Sequence, residues 1–282
     1  MNSGIWRFSK WLDPVPTSAR MTLGEGNTPI VRSRRLGPSV GLKNLFFKLE
    51  LTNPSGSYKD RFACAAISDM VAGGKTECIA MSSGNTGAAL AAYCALAGIS
   101  CEIAIVEGAP DGKLKQMLAY SARLFRVRGF GIDSRLSEQV VECLKILSAR
   151  PQAQMQISAF AYSPVGMSGV KSLSHELAEQ ATAIDRTAWD HVFCMAGGGG
   201  LTLAVSLGFE QLHDAGELLS LPRVDETEGP DIWSRITLSG KLSHVWLAKK
   251  ASLRNQQALP PSRVRYRQRK KDISIQPPTS SA

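Results

Sequence analysis

The sequence predicts an α/β protein built on parallel sheets covered by helices. From Leu45 to about Gly216, short apolar and often β-branched runs alternate with helical patterns, the order that sets parallel strands under crossover helices. The 282 residues, 44% of them hydrophobic, are enough to bury a sizeable core in one large domain or two medium ones. Glycines follow the helical patterns at Gly73, Gly74 and Gly98, where a residue without Cβ ends a helix at little cost.

Leu45-Phe46-Phe47-Lys48-Leu49 reads as the first strand and about Asp60 to Val71 as the helix after it. Cys78 to Met81 is the next strand, followed by a helix over Asn85–Ala97. The alternation repeats with a strand over Cys101–Val106, a helix near Lys113–Tyr120, a strand over Arg123–Val127 and a helix near Ser134–Ala149. After an irregular stretch from Ala159 to Pro164 comes a helix over about Val170–Ala183. His191 to Met195 then runs as a strand into glycines, and Leu201–His213 forms a further helix. Beyond Leu221 the pattern fades: Ile232–Leu247 is ambiguous, and from about Gln256 the Pro-, Ser-, Gln- and Arg-rich composition predicts disorder.

The net charge of +9 is local, because 241–282 carries ten Lys/Arg against one Asp and leaves 1–240 neutral. The run Arg263 to Lys271 could touch phosphate backbones, but a solvated tail is the favoured reading, so no nucleic-acid partner is expected. The six cysteines lack C-x-x-C pairs and histidines at metal-ligand spacing, and read as reduced core residues; no metal is expected. No apolar run approaches the roughly 18 residues of a membrane span, and Met1–Lys10 lacks a secretory core, so a cytoplasmic location is the default expectation.

Three stretches can carry chemistry. Lys59 follows Asn53-Pro54-Ser55-Gly56-Ser57-Tyr58 at the start of a helix, where the positive end of the macrodipole helps an ammonium lose its proton and attack a carbonyl. Taken alone it is a surface lysine in a first helical turn. Ser82-Ser83-Gly84-Asn85-Thr86-Gly87 makes a strand-to-helix turn whose amides and hydroxyls suit an anion such as a carboxylate, although the same residues serve as plain N-caps. Gly197-Gly198-Gly199-Gly200, between strand and helix, lets successive N–H groups approach a phosphate. A dinucleotide site is the competitor there, but Leu203 stands where the third glycine of G-x-G-x-x-G would fall.

In order and spacing these motifs resemble the fold type II pyridoxal-phosphate enzymes, which include threonine synthases, cysteine synthases, serine/threonine dehydratases and the tryptophan synthase β chain. Within that family, Gly24-Glu25-Gly26-Asn27-Thr28-Pro29-Ile30, Trp6-Arg7-Phe8 and Gly112-Lys113-Leu114-Lys115-Gln116 are most similar to threonine synthases, and the resemblance runs from about Trp6 to Val224. It implies two three-layer, open, mostly parallel sheets with helices on both faces. A larger domain would take residues 1–53 plus 161–224 and a smaller one 54–160, leaving 225–282 as a divergent basic tail. It further implies pyridoxal 5'-phosphate held by Lys59 as a Schiff base, with Asn85 on the ring oxygen and the amides of Gly197, Gly198, Gly199 and Gly200 on the phosphate. Ser83, Gly84 and Thr86 would hold the carboxylate of a small amino-acid substrate, and a homodimer is the family's common assembly.

Two departures qualify the likeness. Threonine synthases carry an Asn/Ser-rich stretch and an arginine before the helix corresponding to Val170, whereas Ser158 to Met167 holds no arginine, which disfavours phosphohomoserine as substrate. Beyond Val224 nothing matches the family's further strands and its partner for the pyridine nitrogen. A truncated, spliced or frame-shifted C-terminus is one reading and a divergent ending another. The sequence thus supports a threonine synthase-like lyase or synthase, with dehydratase-like or cysteine synthase-like activity, or an impaired member kept for interaction, as alternatives.

Overall fold

The computed structural model of the chain describes residues 3–184, 186, 188–195, 197–227 and 244–247. Their strands form two sheets. The first holds β1 (Ile30–Arg32), β2 (Leu45–Lys48), β7 (His191–Met195), β8 (Arg223–Thr227) and β9 (His244–Leu247) in the order β1-β2-β9-β7-β8, parallel except for the antiparallel edge strand β1. The second holds β3 (Glu77–Met81), β4 (Ser100–Ile105), β5 (Arg123–Arg126) and β6 (Ala153–Gln156) in the order β5-β4-β3-β6, all parallel. The expected α/β architecture of mostly parallel, helix-flanked sheets is therefore present.

The helices are α1 (Leu36–Ser39), α2 (Lys59–Ala72), α3 (Asn85–Ala97), α4 (Asp111–Ala119), α5 (Ser134–Ser148), α6 (Pro164–Thr182) and α7 (Gly200–Asp214). Helix α6 packs against both α2 and α7, and glycines set how close they come. A Cβ at Gly169 would lie 2.3 Å from the carbonyl oxygen of Arg61, one at Gly166 2.6 Å from the Phe62 ring, and one at Gly208 2.7 Å from the carbonyl oxygen of Lys171. Around this stack Phe62, Ile67, Met70, Val170, Leu173, Leu177, Val205 and Phe209 join the main core, where each large side chain contributes roughly 1.5–3 kcal/mol of burial.

Several elements depart from the sequence reading. Helix α6 begins at Pro164 rather than near Val170, since proline at the first helical position has its φ already set and needs no N–H there. Strand β6 has no β-branched residue and forms because β3 offers it a parallel edge, register Glu77 to Ala153. The larger sheet continues past Val224: β8 runs to Thr227, and β9, in the ambiguous stretch assigned to the tail, lies between β2 and β7. The disorder expected from about Gln256 falls outside the described residues. Five cysteines are buried free thiols as expected, but Cys143 is exposed on α5. Among the described residues no helix is long and apolar enough to cross a membrane.

Candidate active site

Lys59 is the first residue of α2, and the loop before it is closed by Asp60. The Asp60 carboxylate accepts the Ser55 N–H at 2.8 Å and the Ser55 hydroxyl at 2.7 Å. Burial pushes the Asp60 carboxyl up to about 6, with the Ser55 bonds opposing. The opening amides of α2 are already paired: Lys59 N–H donates to Ser57 Oγ, Asp60 N–H to the Ser57 carbonyl and Arg61 N–H to the Tyr58 carbonyl. The helix therefore offers Lys59 its dipole rather than free donors.

The ammonium of Lys59 reaches across to the turn after β6. Its Nζ donates to Ser158 Oγ at 2.5 Å and lies 4.6 Å from the centre of the Tyr58 ring. Ser158 Oγ is in turn 3.1 Å from Thr86 Oγ1. Strands β3 and β6 are parallel neighbours, so the turns leaving their C-terminal ends meet side by side, the place where open α/β sheets bind ligands.

The turn after β3 is held from beneath. Ser83 Oγ accepts the Val106 N–H at 2.9 Å, so part of its bonding capacity ties down the end of β4. Gly84 caps α3, Asn85 begins it half-buried, and a Cβ at Gly87 would lie 2.6 Å from the Ser82 carbonyl oxygen.

The glycine turn after β7 differs. Gly199 caps α7 at φ +73°, a conformation that costs an L-residue with Cβ roughly 1–2 kcal/mol. Gly197 N–H donates to Glu226 Oε1 at 3.4 Å, and Gly198 is exposed. A Cβ on Gly200 would sit 3.3 Å from the Ser158 carbonyl oxygen and 3.1 Å from Met167 Cε. The buried hydroxyl of Thr202, one turn on, finds no nitrogen or oxygen partner and leans on the Cys194 thiol. Ser158 thus joins Lys59, Thr86 and Gly200, while Ser83 points its acceptor elsewhere.

Sequence reading did not single out Ser158, because it follows a strand that only tertiary pairing creates. It also missed the charges behind Lys59. Arg61, fully buried, donates Nε and Nη2 to the two carboxylate oxygens of Glu50 at 2.8 Å each, and Nη2 to Glu176 Oε2 at 2.9 Å. Glu176 also pairs with buried Lys48, giving two cations against two anions. Burial would raise the Glu176 carboxyl, but Arg61 and Lys48 outweigh it and hold it down to about 2. The usable signal was Lys48, a cation inside an apolar strand.

Hollows of about 360 Å³ (Arg32, Ser33, Arg34, Pro38, Lys43) and about 300 Å³ (including Arg7, Trp11 and His175) involve neither Lys59 and Ser158 nor the turns at Ser82–Gly87 and Gly197–Gly200.

A family profile described as pyridoxal-phosphate dependent enzyme matches residues 21–233. The threonine synthase of Methanocaldococcus jannaschii is 30% identical over 222 residues, covering 78% of this chain and 52% of that protein. That of Mycobacterium tuberculosis strain H37Rv is 31% identical over 209 residues, 74% of this chain and 54% of that protein. The chain spans about half the length of these curated relatives. Among solved structures, maize serine racemase superposes with a TM-score of 0.61 at 24% identity, over 81% of this chain and 62% of its own. The T.th. threonine deaminase does so with a TM-score of 0.58 at 24% identity, over 73% and 61%. Both share the fold.

Proposed function

Because the chain belongs to the pyridoxal-phosphate dependent enzyme family, we propose that it acts on a small amino acid by elimination, hydration or replacement, as a threonine synthase-like lyase or synthase. The observation that carries this reading is the contact chain Lys59 Nζ, Ser158 Oγ, Thr86 Oγ1, at 2.5 and 3.1 Å, beside the backbone of Gly200. Pyridoxal phosphate, when bound, supplies an electron sink for negative charge at the substrate's α-carbon.

The residues fit that group. Gly198, Gly199 and Gly200 bring backbone to the surface at the start of α7, and a Cβ at Gly200 would fill the space toward Ser158, so a phosphate could be held by their amides and the helix dipole, with the Gly197 N–H joining once it leaves Glu226. Lys59 would hold the cofactor through its ε-amino group, and Asn85 would donate to the ring oxygen. Gly84 and Thr86, with the second lone pair or the proton of the Ser83 hydroxyl, would seat the substrate carboxylate at the start of α3.

Lys59 Nζ is the atom that would take and return protons, and Ser158 Oγ can relay them toward Thr86. The Asp60 and Arg61 contacts fix the backbone that aims Lys59. Two domains, 1–53 with 161–227 and β9, and 54–160, would close over the site in a cytoplasmic homodimer.

A dehydratase-like reading has one observation in its favour. Ser158 to Met167 offers no cationic side chain for a second phosphate, and Gly166 packs its backbone against Phe62 where a side chain has no room.

The test is absorbance. The purified chain with added pyridoxal phosphate should show the long-wavelength band of lysine-bound cofactor, and Lys59→Ala should abolish it. A folded chain without the band would leave an impaired family member as the reading. If the band appears, release of ammonia from serine or threonine favours the dehydratase class.

A further inference from the structure

Cys78 on β3, Cys94 on α3 and Cys101 on β4 are all buried, and their three sulfurs lie within 4.8 Å of one another. Cys78 and Cys101 are directly opposite in the β3–β4 register, and Cys94 covers them from the helix. Among the described residues this is the one set of three thiols, imidazoles or carboxylates so gathered. Their neighbours along the chain are apolar: Ala80 on β3, Leu90 and Ala91 on α3, Ile99 just before β4 and Ile103 on it all belong to the core.

We propose that these three cysteines form a closed binding site for a trivalent thiophilic metalloid, of which arsenic(III) is the type. Geometry sets the coordination. A pyramidal trivalent centre bonded to three thiolates at about 2.3 Å, close to the length sulfur makes to zinc, needs sulfurs about 3.4 Å apart, so each pair closes by about 1.4 Å at most.

Charge sets the occupant. In apolar surroundings a monovalent ion on three thiolates would leave two net negative charges and a divalent ion one, each costly to bury. A trivalent centre leaves none. Arsenous acid enters uncharged: three S–H bonds and three As–O bonds break, three As–S bonds form, and three waters leave. No electron changes hands. The three sulfurs already face one another across the contact of β3, β4 and α3, so no side chain has to cross the core to reach the centre. Occupation ties β3, which delivers Ser82 to Gly84, to the helix that opens at Asn85. The assignment is independent of the proposed reaction.

The test uses the reduced full chain, its fold followed by circular dichroism, and titration with arsenite read by mass spectrometry and thiol counting. One arsenic per chain is expected, with the mass of arsenic less three protons and the loss of three titratable thiols. Cys94→Ala and, separately, Cys101→Ala should weaken binding at least tenfold, and Cys143→Ser should leave it unchanged. Should one core variant fail to fold, the other is read in its place. Unchanged binding in a folded core variant, loss in Cys143→Ser, or no adduct on the folded chain overturns the site. Tighter binding of cadmium than of arsenite overturns the choice of occupant.

Discussion

Two cations stand two residues apart on α2, and they are treated in opposite ways. Lys59 is half-buried and its partner is a neutral hydroxyl, whereas Arg61 is sealed from water between two carboxylates. A buried charge survives only when it is matched, and Arg61 is matched on both sides. The same helix thus carries a cation turned into the core and matched by carboxylates, and another turned toward the hydroxyl of Ser158 in the turn after β6.

The largest effect should come from breaking the matched side. Arg61→Met leaves Glu50 and Glu176 buried with only Lys48 to balance them. It should cost about 3–5 kcal/mol in urea unfolding; a loss below about 1 kcal/mol would mean that the carboxylates simply take up protons.

Acid titration separates the two sides next. Glu176 is held down to about 2 from 4.5, so its stabilisation is complete above pH 4.5 and is lost as pH falls toward 2, on the order of 3 kcal/mol. Asp60, pushed up to about 6 from 3.8, has the opposite sign. The folded chain keeps a proton that the unfolded chain releases, so stability falls, on the order of 3 kcal/mol, as pH rises from 3.8 to 6. Unfolding free energies measured against pH should show the lower slope flattened by Glu176→Gln and the upper one by Asp60→Asn. No change in either slope would separate these groups from the pH response.

On the open side the expected effects on stability are small. Ser158→Ala removes the shared partner of Lys59 and Thr86 and should cost about 1 kcal/mol or less. If Ser158 relays protons, kcat should fall tenfold or more with little change in KM. Lys59→Ala should change stability least of all, by under about 0.5 kcal/mol, while abolishing lysine-bound cofactor. A large loss of stability would make Lys59 a second Arg61 and remove the contrast.

Helices α2 to α7 and most strands were legible because their hydrophobic periodicity is local, whereas the single turn of α1 was not read; α3 was bounded at Asn85–Ala97 from sequence and is found there. Strand β6 and the early start of α6 were not, because Ala153-Gln154-Met155-Gln156 carries no strand signal until β3 lies beside it. The motif lysine, turn and glycines were legible as types in order. That Ser158 joins three of them, and that Lys48, Glu50, Arg61 and Glu176 converge, was not: these residues come from separate elements, and no local pattern reports a contact between them.

The sequence by itself determined the alternation of strands and helices, the residue types at each turn and the family to which the chain belongs. These rest on periodicity and on short runs of neighbouring residues. Only the tertiary structure decided which of two nearby cations is neutralised and which is left to a hydroxyl. That depends on what β6 and α6 bring across to α2, and electrostatics acts over ångströms in space rather than along the chain.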